Sequence, residues 1–316
     1  MRTDAPIFVA GHRGLVGSAI RRALVARGYT NLVLRTRAEL DLRNQSAVDQ
    51  FFADERPTYV FLAAAKVGGI LANSSYPADF LRDNLAIQTN VLDAARRCGV
   101  EKLCFLGSSC IYPRHAPQPM SEDSLLTGPL EPTNEWYAIA KISGIKLCQA
   151  LRQQHGFNAI CLMPTNLYGP GDNFDLESSH VMPALIRKMH EAKQCGAASV
   201  TVWGSGSPRR EFLYVDDLAD AACFLMDAYD SPEIINVGVG RDISIAELTV
   251  QVRNIVGFEG RIEYDRSKPD GTPRKLLDVE KIAALGWQAR TSLEAGIRAT
   301  YEWYLANVAT GSASHA

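Results

Sequence analysis

No stretch of this 316-residue sequence stays apolar for the roughly 18–20 residues that a membrane helix requires, so a helical membrane protein is excluded and a soluble chain is expected. An excess of one charge is equally missing. With 33 Lys+Arg against 35 Asp+Glu the formal net charge is -2, which leaves no bulk attraction toward nucleic acid or anionic lipid. The 7 cysteines are odd in number and lack CxxC spacing, so they read as reduced packing residues, with no disulfide framework and no zinc site. No HExxH occurs, and His12, His115, His155, His190 and His315 form no ligand pattern, so no metal is expected. The N-terminal residues show no basic region, apolar region and cleavage site in succession, which makes the cytoplasm the expected compartment. Repeats and low-complexity segments are absent as well.

What the sequence does have is alternation. Short β-rich runs are each followed by a longer amphipathic stretch: Pro6–Ala10 then Leu15–Arg27, Asn31–Leu34 then Ser46–Arg56, Tyr59–Ala63 then Pro77–Arg97, and Lys102–Gly107 then Glu135–His155. Asn158–Met163 adds a further run. Runs such as Val60-Phe61-Leu62-Ala63 are apolar throughout, as strands covered on both faces must be, and right-handed crossovers then give an α/β, doubly wound parallel sheet. After Pro164 the texture loosens. Helices are expected over Val181–Lys193 and Ser292–Leu305, Ser244 and Glu247 have capping-box spacing, and Thr310–Ala316 is expected to fray.

Three motifs carry chemistry. Gly11-His12-Arg13-Gly14-Leu15-Val16-Gly17 joins the first strand to the first helix with glycines at relative positions 1, 4 and 7, the context in which a backbone turn and a helix N-terminus hold a pyrophosphate. A site for NAD places a carboxylate at the end of the second strand, some 20 residues past such a loop. Here that end reads Leu34-Arg35-Thr36-Arg37, so Arg13 with Arg35 or Arg37 is suited to the 2′-phosphate of NADP. A solvated basic turn is the plainer alternative. Asp41 is placed either for an adenine amino group or as a helix cap. Tyr137 and Lys141, at i and i+4 on one expected helix face, bring a phenol beside an ammonium, an arrangement that lowers the phenol's pKa by charge. Ser108, in Gly107-Ser108-Ser109, follows the fourth strand at the sheet's carboxyl edge, where its hydroxyl can hold a reacting oxygen.

The glycine loop, the serine and Tyr-x-x-x-Lys in this order resemble the extended short-chain dehydrogenase/reductase superfamily. Four segments narrow the likeness to its GDP-L-fucose synthase family: Gly11–Ile20, Leu62–Ile70, Gly107–Pro113 and Lys268–Lys275. The resemblance implies a Rossmann-type domain of residues 1–168 and 215–237, and a smaller α/β nucleotide-sugar lobe of residues 169–214 and 238–316. It further implies NADP(H), a GDP-sugar substrate epimerised at C3 and C5 and reduced at C4, and a homodimer built from Pro77–Arg97 and Glu135–His155. Tyr137, Lys141 and Ser108 are then the reducing groups, Cys110 the epimerising base and His180 the acid. Cofactor contacts carried over are the loop Gly11–Gly17, Arg37, Asp41, Leu106, Gly107, Ser108, Ser109, Lys141, Pro164, Thr165, Asn166, Leu167 and His180. Lys188, Trp203, Arg210 and Asp270 fall at the family's nucleotide-sugar positions. By themselves Cys110 reads as a packing residue, His180 as a cap or surface residue, and Trp203 as a core anchor.

Overall fold

The computed structural model describes residues 1–268 and 270–309. The alternation read from the sequence is present. β1 (Ile7–Ala10) leads into α1 (Leu15–Ala26), β2 (Leu32–Val33) into α2 (Gln45–Glu55), β3 (Tyr59–Leu62) into α3 (Ile70–Ser75) and α4 (Pro77–Arg97), and β4 (Lys102–Leu106) into α5 (Glu135–His155). The chain continues through β5 (Ala159–Pro164), β6 (Asn166–Tyr168), α6 (Val181–Gln194), β7 (Ser199–Trp203), β8 (Arg209–Tyr214), α7 (Val215–Ala228) and β9 (Ile234–Val237). It closes with β10 (Asp242–Ser244), α8 (Ile245–Val256), β11 (Arg261–Asp265), β12 (Arg274–Lys275), α9 (Glu280–Ala284) and α10 (Leu293–Asn307).

Six parallel strands in the order β2-β1-β3-β4-β5-β9 form the central Rossmann-type sheet, with Ile7 paired to both Leu32 and Tyr59. The winding reverses between β1 and β3, so the crossovers leave in opposite directions there and open a crevice at the strands' carboxyl ends. One face of the sheet is covered by α2, α4 and α5, with Phe8, Phe51 and Phe52 meeting at ring distances of 4.6 and 5.4 Å. The other face is covered by α1 and α7 through Ile20, Leu24, Leu218 and Leu225. Buried Cys104, Cys148, Cys161 and Cys223 are free thiols, in keeping with the packing role read from the sequence.

A third core, including Tyr168, Met182, Ile186, Leu248, Val252 and Ile297, lies beneath short strands that pair over long sequence distances. β8 lies between β10 and β12 and also pairs β6, while β7 pairs β11. Ser244 and Glu247 form the expected capping box at α8. Ile282 and Trp287, in a stretch the sequence reading gives to the smaller lobe, are buried instead in the core beneath α1 and α7. The Thr310–Ala316 tail, with His315, lies outside the described residues. Among the described residues no helix is long and apolar enough to cross a membrane, and no group of three or more His, Cys, Asp or Glu side chains is arranged to hold a metal.

Candidate active site

Backbone crowding explains the glycine loop. Gly11 sits at φ +85°, and a Cβ there would lie 2.8 Å from Ala64 N; at Gly17 it would lie 2.1 Å from Gly11 O. The loop can therefore close only with glycine at both positions. Gly14 is the N-cap of α1 and supplies no capping side chain, which leaves the first N–H groups of that helix to a ligand. Such a cradle fits a pyrophosphate.

Past β2 the structure separates the two candidate arginines. Arg35 is turned onto Glu55, donates to Leu34 O at 2.9 Å and lies 5.7 Å from the centre of the Phe51 ring. Both arginines line the cavity, but Arg37, like Arg13, makes no ion pair or hydrogen bond among the described residues. The guanidinium free to take a 2′-phosphate on this edge is thus Arg37. Asp41 also lines the cavity, but Arg43 donates to its carboxylate at 2.6 and 3.0 Å and pushes its pKa down to about 2. An adenine amino group would have to share that carboxylate with the arginine. His12 and Arg13 are not part of the cavity wall.

At the carboxyl edge of β4, Ser108 Oγ accepts from Cys110 N at 3.3 Å, starting the short turn Ser109–Ile111 and setting Cys110 against the cavity. Helix α5 presents Tyr137 and Lys141 to the same space. The Tyr137 ring meets Phe80 edge-on at 6.5 Å, and Lys141 Nζ donates to Leu106 O at 2.7 Å. The expectation that Lys141 lowers the phenol's pKa is not met. Burial pushes the Tyr137 phenol up and the Lys141 ammonium down to about 8. The Lys141 ammonium gives its hydrogen bond to a backbone carbonyl, Leu106 O, and desolvation is the largest influence on the phenol.

Burial also pushes the Cys110 thiol up. The cation that most opposes this is Lys275 on β12, ahead of Lys141. Lys275 lines the cavity, and burial pushes its own pKa down. Sequence reading includes Lys275 in a family motif but gives it no role; the strand pairing that brings it here joins distant segments. His180 occupies the N-cap position of α6 but makes no capping bond; it is exposed at the cavity mouth and lines the cavity, and desolvation by the surrounding groups lowers its pKa. The loop before it is tied across the crevice by Gly69 N donating to Ser178 O at 3.0 Å. Pro164, Thr165, Asn166 and Leu167 form the adjoining wall. Thr165 Oγ1 and Asn166 Nδ2 donate to Glu211 O at 3.3 and 2.8 Å.

One cavity of about 870 Å³ therefore gathers the glycine loop, Arg37, Asp41, Leu106 to Cys110, Tyr137, Lys141, Pro164 to Leu167 and His180. Lys188, Trp203, Arg210 and Asp270 are not in its wall and form a neighbouring group. Trp203 is 54% exposed, which excludes a core anchor, and Lys188 and Lys268 lie 5.4 and 5.3 Å from its ring centre. Arg210 Nη2 donates to Asp270 O at 3.5 Å, while the Asp270 carboxylate accepts from Ser205 N and Oγ, both at 2.7 Å. The two groups adjoin because Arg210 on β8 pairs with Lys275 on β12.

Residues 7–238 match the model of the NAD dependent epimerase/dehydratase family. The chain is 65% identical over 303 residues to "Probable GDP-L-fucose synthase 1" of Oryza sativa subsp. japonica, covering 96% of this chain and 92% of that protein. It is 64% identical to "GDP-L-fucose synthase 1" of Arabidopsis thaliana, covering 96% and 94% respectively. Among solved structures, a GDP-L-fucose synthetase from Naegleria fowleri bound to NADP is similar with a TM-score of 0.90 at 32% identity, covering 98% of this chain and 97% of that one.

Proposed function

The chain belongs to the NAD dependent epimerase/dehydratase family, and from that membership we propose that it converts GDP-4-keto-6-deoxy-D-mannose into GDP-L-fucose, epimerising C3 and C5 and then reducing C4 with NADPH. The observation that carries this reading is the single cavity holding Ser108, Cys110, Tyr137, Lys141 and His180. A C4 ketone acidifies the C–H bonds on both sides of it, so one set of groups around one carbonyl serves both halves of the reaction.

The glycine loop and the open N-terminus of α1 hold the cofactor's pyrophosphate, Arg37 its 2′-phosphate, and Lys141 with the Pro164–Leu167 wall its nicotinamide end. Bound NADPH supplies hydride to C4. As thiolate, Cys110 Sγ takes the proton from C3 or C5, and the His180 imidazolium returns one on the opposite face, leaving a thiol and a neutral imidazole. Ser108 Oγ donates to the C4 oxygen while the enolate forms. The raised phenol pKa keeps Tyr137 protonated at neutral pH, which is the state needed to give the C4 oxygen its proton during reduction. Lys188 and Arg210 face the diphosphate, and Trp203 with Asp270 the guanosine.

The decisive experiment incubates the protein with NADPH and the keto-sugar. One NADPH oxidised per GDP-L-fucose formed supports the reading. Conversion without net NADPH loss would point to an epimerase or dehydratase that recycles its cofactor, and tight binding without turnover to a non-catalytic NADP sensor. Cys110→Ser should stop solvent deuterium entering the sugar, whereas Tyr137→Phe should suppress reduction and leave exchange; identical behaviour would defeat this division of labour.

We also propose a cytoplasmic homodimer through α4 and α5. Both helices run 21 residues, they lie side by side, and Trp136 at the start of α5 is 43% exposed. Light scattering giving a monomer's mass would reject the dimer. We further propose that residues 1–168 with 215–237 serve the cofactor and 169–214 with 238–316 the sugar, with Ile282 and Trp287, buried in the core beneath α1 and α7, joined to the cofactor half.

A further inference from the structure

The cavity wall contains polar atoms that the reaction as assigned does not use. Asn73 on α3 is only 6% exposed, and its amide is oriented by two bonds, Nδ2 donating to Gly68 O at 2.7 Å and Gly69 O at 3.0 Å. Its Oδ1 is buried and without a partner. Asn134 is the N-cap of α5, a position where asparagine normally accepts from the helix backbone, yet it makes no such bond and its Oδ1 is likewise buried and unpaired. Both residues line the cavity, on elements that pack against each other, α3 and the turn Pro132–Asn134. Asn134 precedes Tyr137 by three residues, so both lie on one face of the helix end.

An unpaired buried acceptor costs about 1–3 kcal/mol, and these two would recover that only from a ligand that donates. Phosphates cannot, because at neutral pH their oxygens chiefly accept. Hydroxyl groups can. Resting on the substrate reading above, the geometry has a counterpart in the sugar: a 4-keto-6-deoxyhexose bound through C1 keeps only two free hydroxyls, at C2 and C3, and C3 adjoins the carbonyl that Tyr137 serves. We propose that Asn73 and Asn134 read the hexose ring, each accepting a hydrogen bond from one of these two hydroxyls, and so hold the sugar in register while C3, C5 and C4 are worked on in turn. The competing donor is the ribose beside the nicotinamide.

The test measures NADPH oxidation by wild type, Asn73→Ala and Asn134→Ala with the keto-sugar and with its 2-deoxy and 3-deoxy analogues, alongside NADPH affinity by fluorescence. Each substitution is expected to lower kcat/KM for the parent sugar by about tenfold, the size of one buried hydrogen bond, and to leave the NADPH dissociation constant unchanged. For the analogue that lacks its partner hydroxyl, each variant should match wild type. Asn134→Asp, which retains an acceptor of the same shape, should recover most of the parent rate. Wild type itself should turn over both analogues about tenfold less well, an arm that does not depend on any variant folding. Loss of NADPH affinity with kcat/KM for the sugar unchanged would move the contact to the ribose and overturn the proposal. So would equal losses on all three sugars, or wild type indifferent to both deoxy analogues. Failure of wild type to oxidise NADPH with the parent sugar would sink the substrate reading itself, a result distinct from an active enzyme whose asparagines do not matter.

Discussion

Cys110 and His180 are displaced in opposite directions by the same cause. Desolvation raises the thiol above its ordinary 9.0 and lowers the imidazole below its ordinary 6.5, so between those values the resting pair is a neutral thiol and a neutral imidazole. Thiolate with imidazolium contains the same number of protons, so the fraction of the pair in the reactive arrangement does not change with pH between those values. The sign of the pH dependence follows. Below the imidazole pKa both groups are protonated and no base remains; above the thiol pKa neither holds the proton that must be returned. Solvent deuterium incorporation at C3 and C5 is therefore expected to be level from pH 6.5 to 9.0, with its acid limb below 6.5 and its alkaline limb above 9.0. A bell centred inside that range, with a limb at neutral pH, would show that one of the pair is not shifted in the direction its surroundings impose. The sequence names both residues only through family likeness, since a lone cysteine and a lone histidine carry no spacing signal. Lys275, the cation that most favours the thiolate, has no local signal either: its place depends on β12 pairing with β8.

At the level of elements, the parallel sheet is readable because its strands are continuously apolar and its helices amphipathic, both local properties. Strand ends agree to within a few residues, and β2 is the main shortfall, with two paired residues where Asn31–Leu34 is expected. Helix α3 escapes notice because six residues after two glycines give too little periodicity to register. The short strands β6, β8, β10 and β12 are hidden for another reason: they pair across long stretches of chain, which no local window senses. The glycine loop tests how much of the site a local motif fixes. A Cβ at Gly14 would lie 3.5 Å from Gly11 O, an ordinary contact, whereas at Gly17 it would lie 2.1 Å from the same backbone atom. Gly14→Ala should accordingly keep the melting temperature within about a degree while weakening NADPH binding, because the methyl group would occupy the phosphate cradle. Gly17→Ala should lower both, by about 1–3 kcal/mol of stability, since the loop and α1 must separate to admit the methyl group. Calorimetry and cofactor titration on the two variants check this; equal melting temperatures would mean that the loop accommodates either change.

In the molecule as a whole, the site stands where the central sheet meets the small strands, and one buried carboxylate holds that junction. Glu211 on β8 is 0% exposed; its Oε1 accepts from Val239 N at 2.6 Å and Gly240 N at 2.7 Å, and its Oε2 from Leu277 N at 3.0 Å. Three segments distant in sequence are thereby fixed to one side chain: β8 itself, the turn after β9, and the stretch that carries Lys275. The backbone oxygen of the same residue receives Thr165 and Asn166, so the wall assigned to the nicotinamide is tied to β8 without using the carboxylate. This separation gives a sharp expectation for Glu211→Gln. An amide can keep one acceptor toward Val239 and Gly240 but must turn its NH2 toward Leu277 N, leaving that backbone donor unpaired at a cost of about 1–3 kcal/mol. Movement begins at Leu277 and reaches Lys275 and its partner Arg210, the latter proposed above to face the diphosphate, before it reaches Thr165. The variant should melt several degrees lower and show a raised KM for the GDP-sugar, with NADPH affinity held close to wild type. Thermal unfolding and steady-state kinetics with each ligand varied in turn decide the matter. If NADPH affinity falls first, the carboxylate supports the cofactor wall as much as the sugar side, and the division of the junction into two independently held halves is wrong.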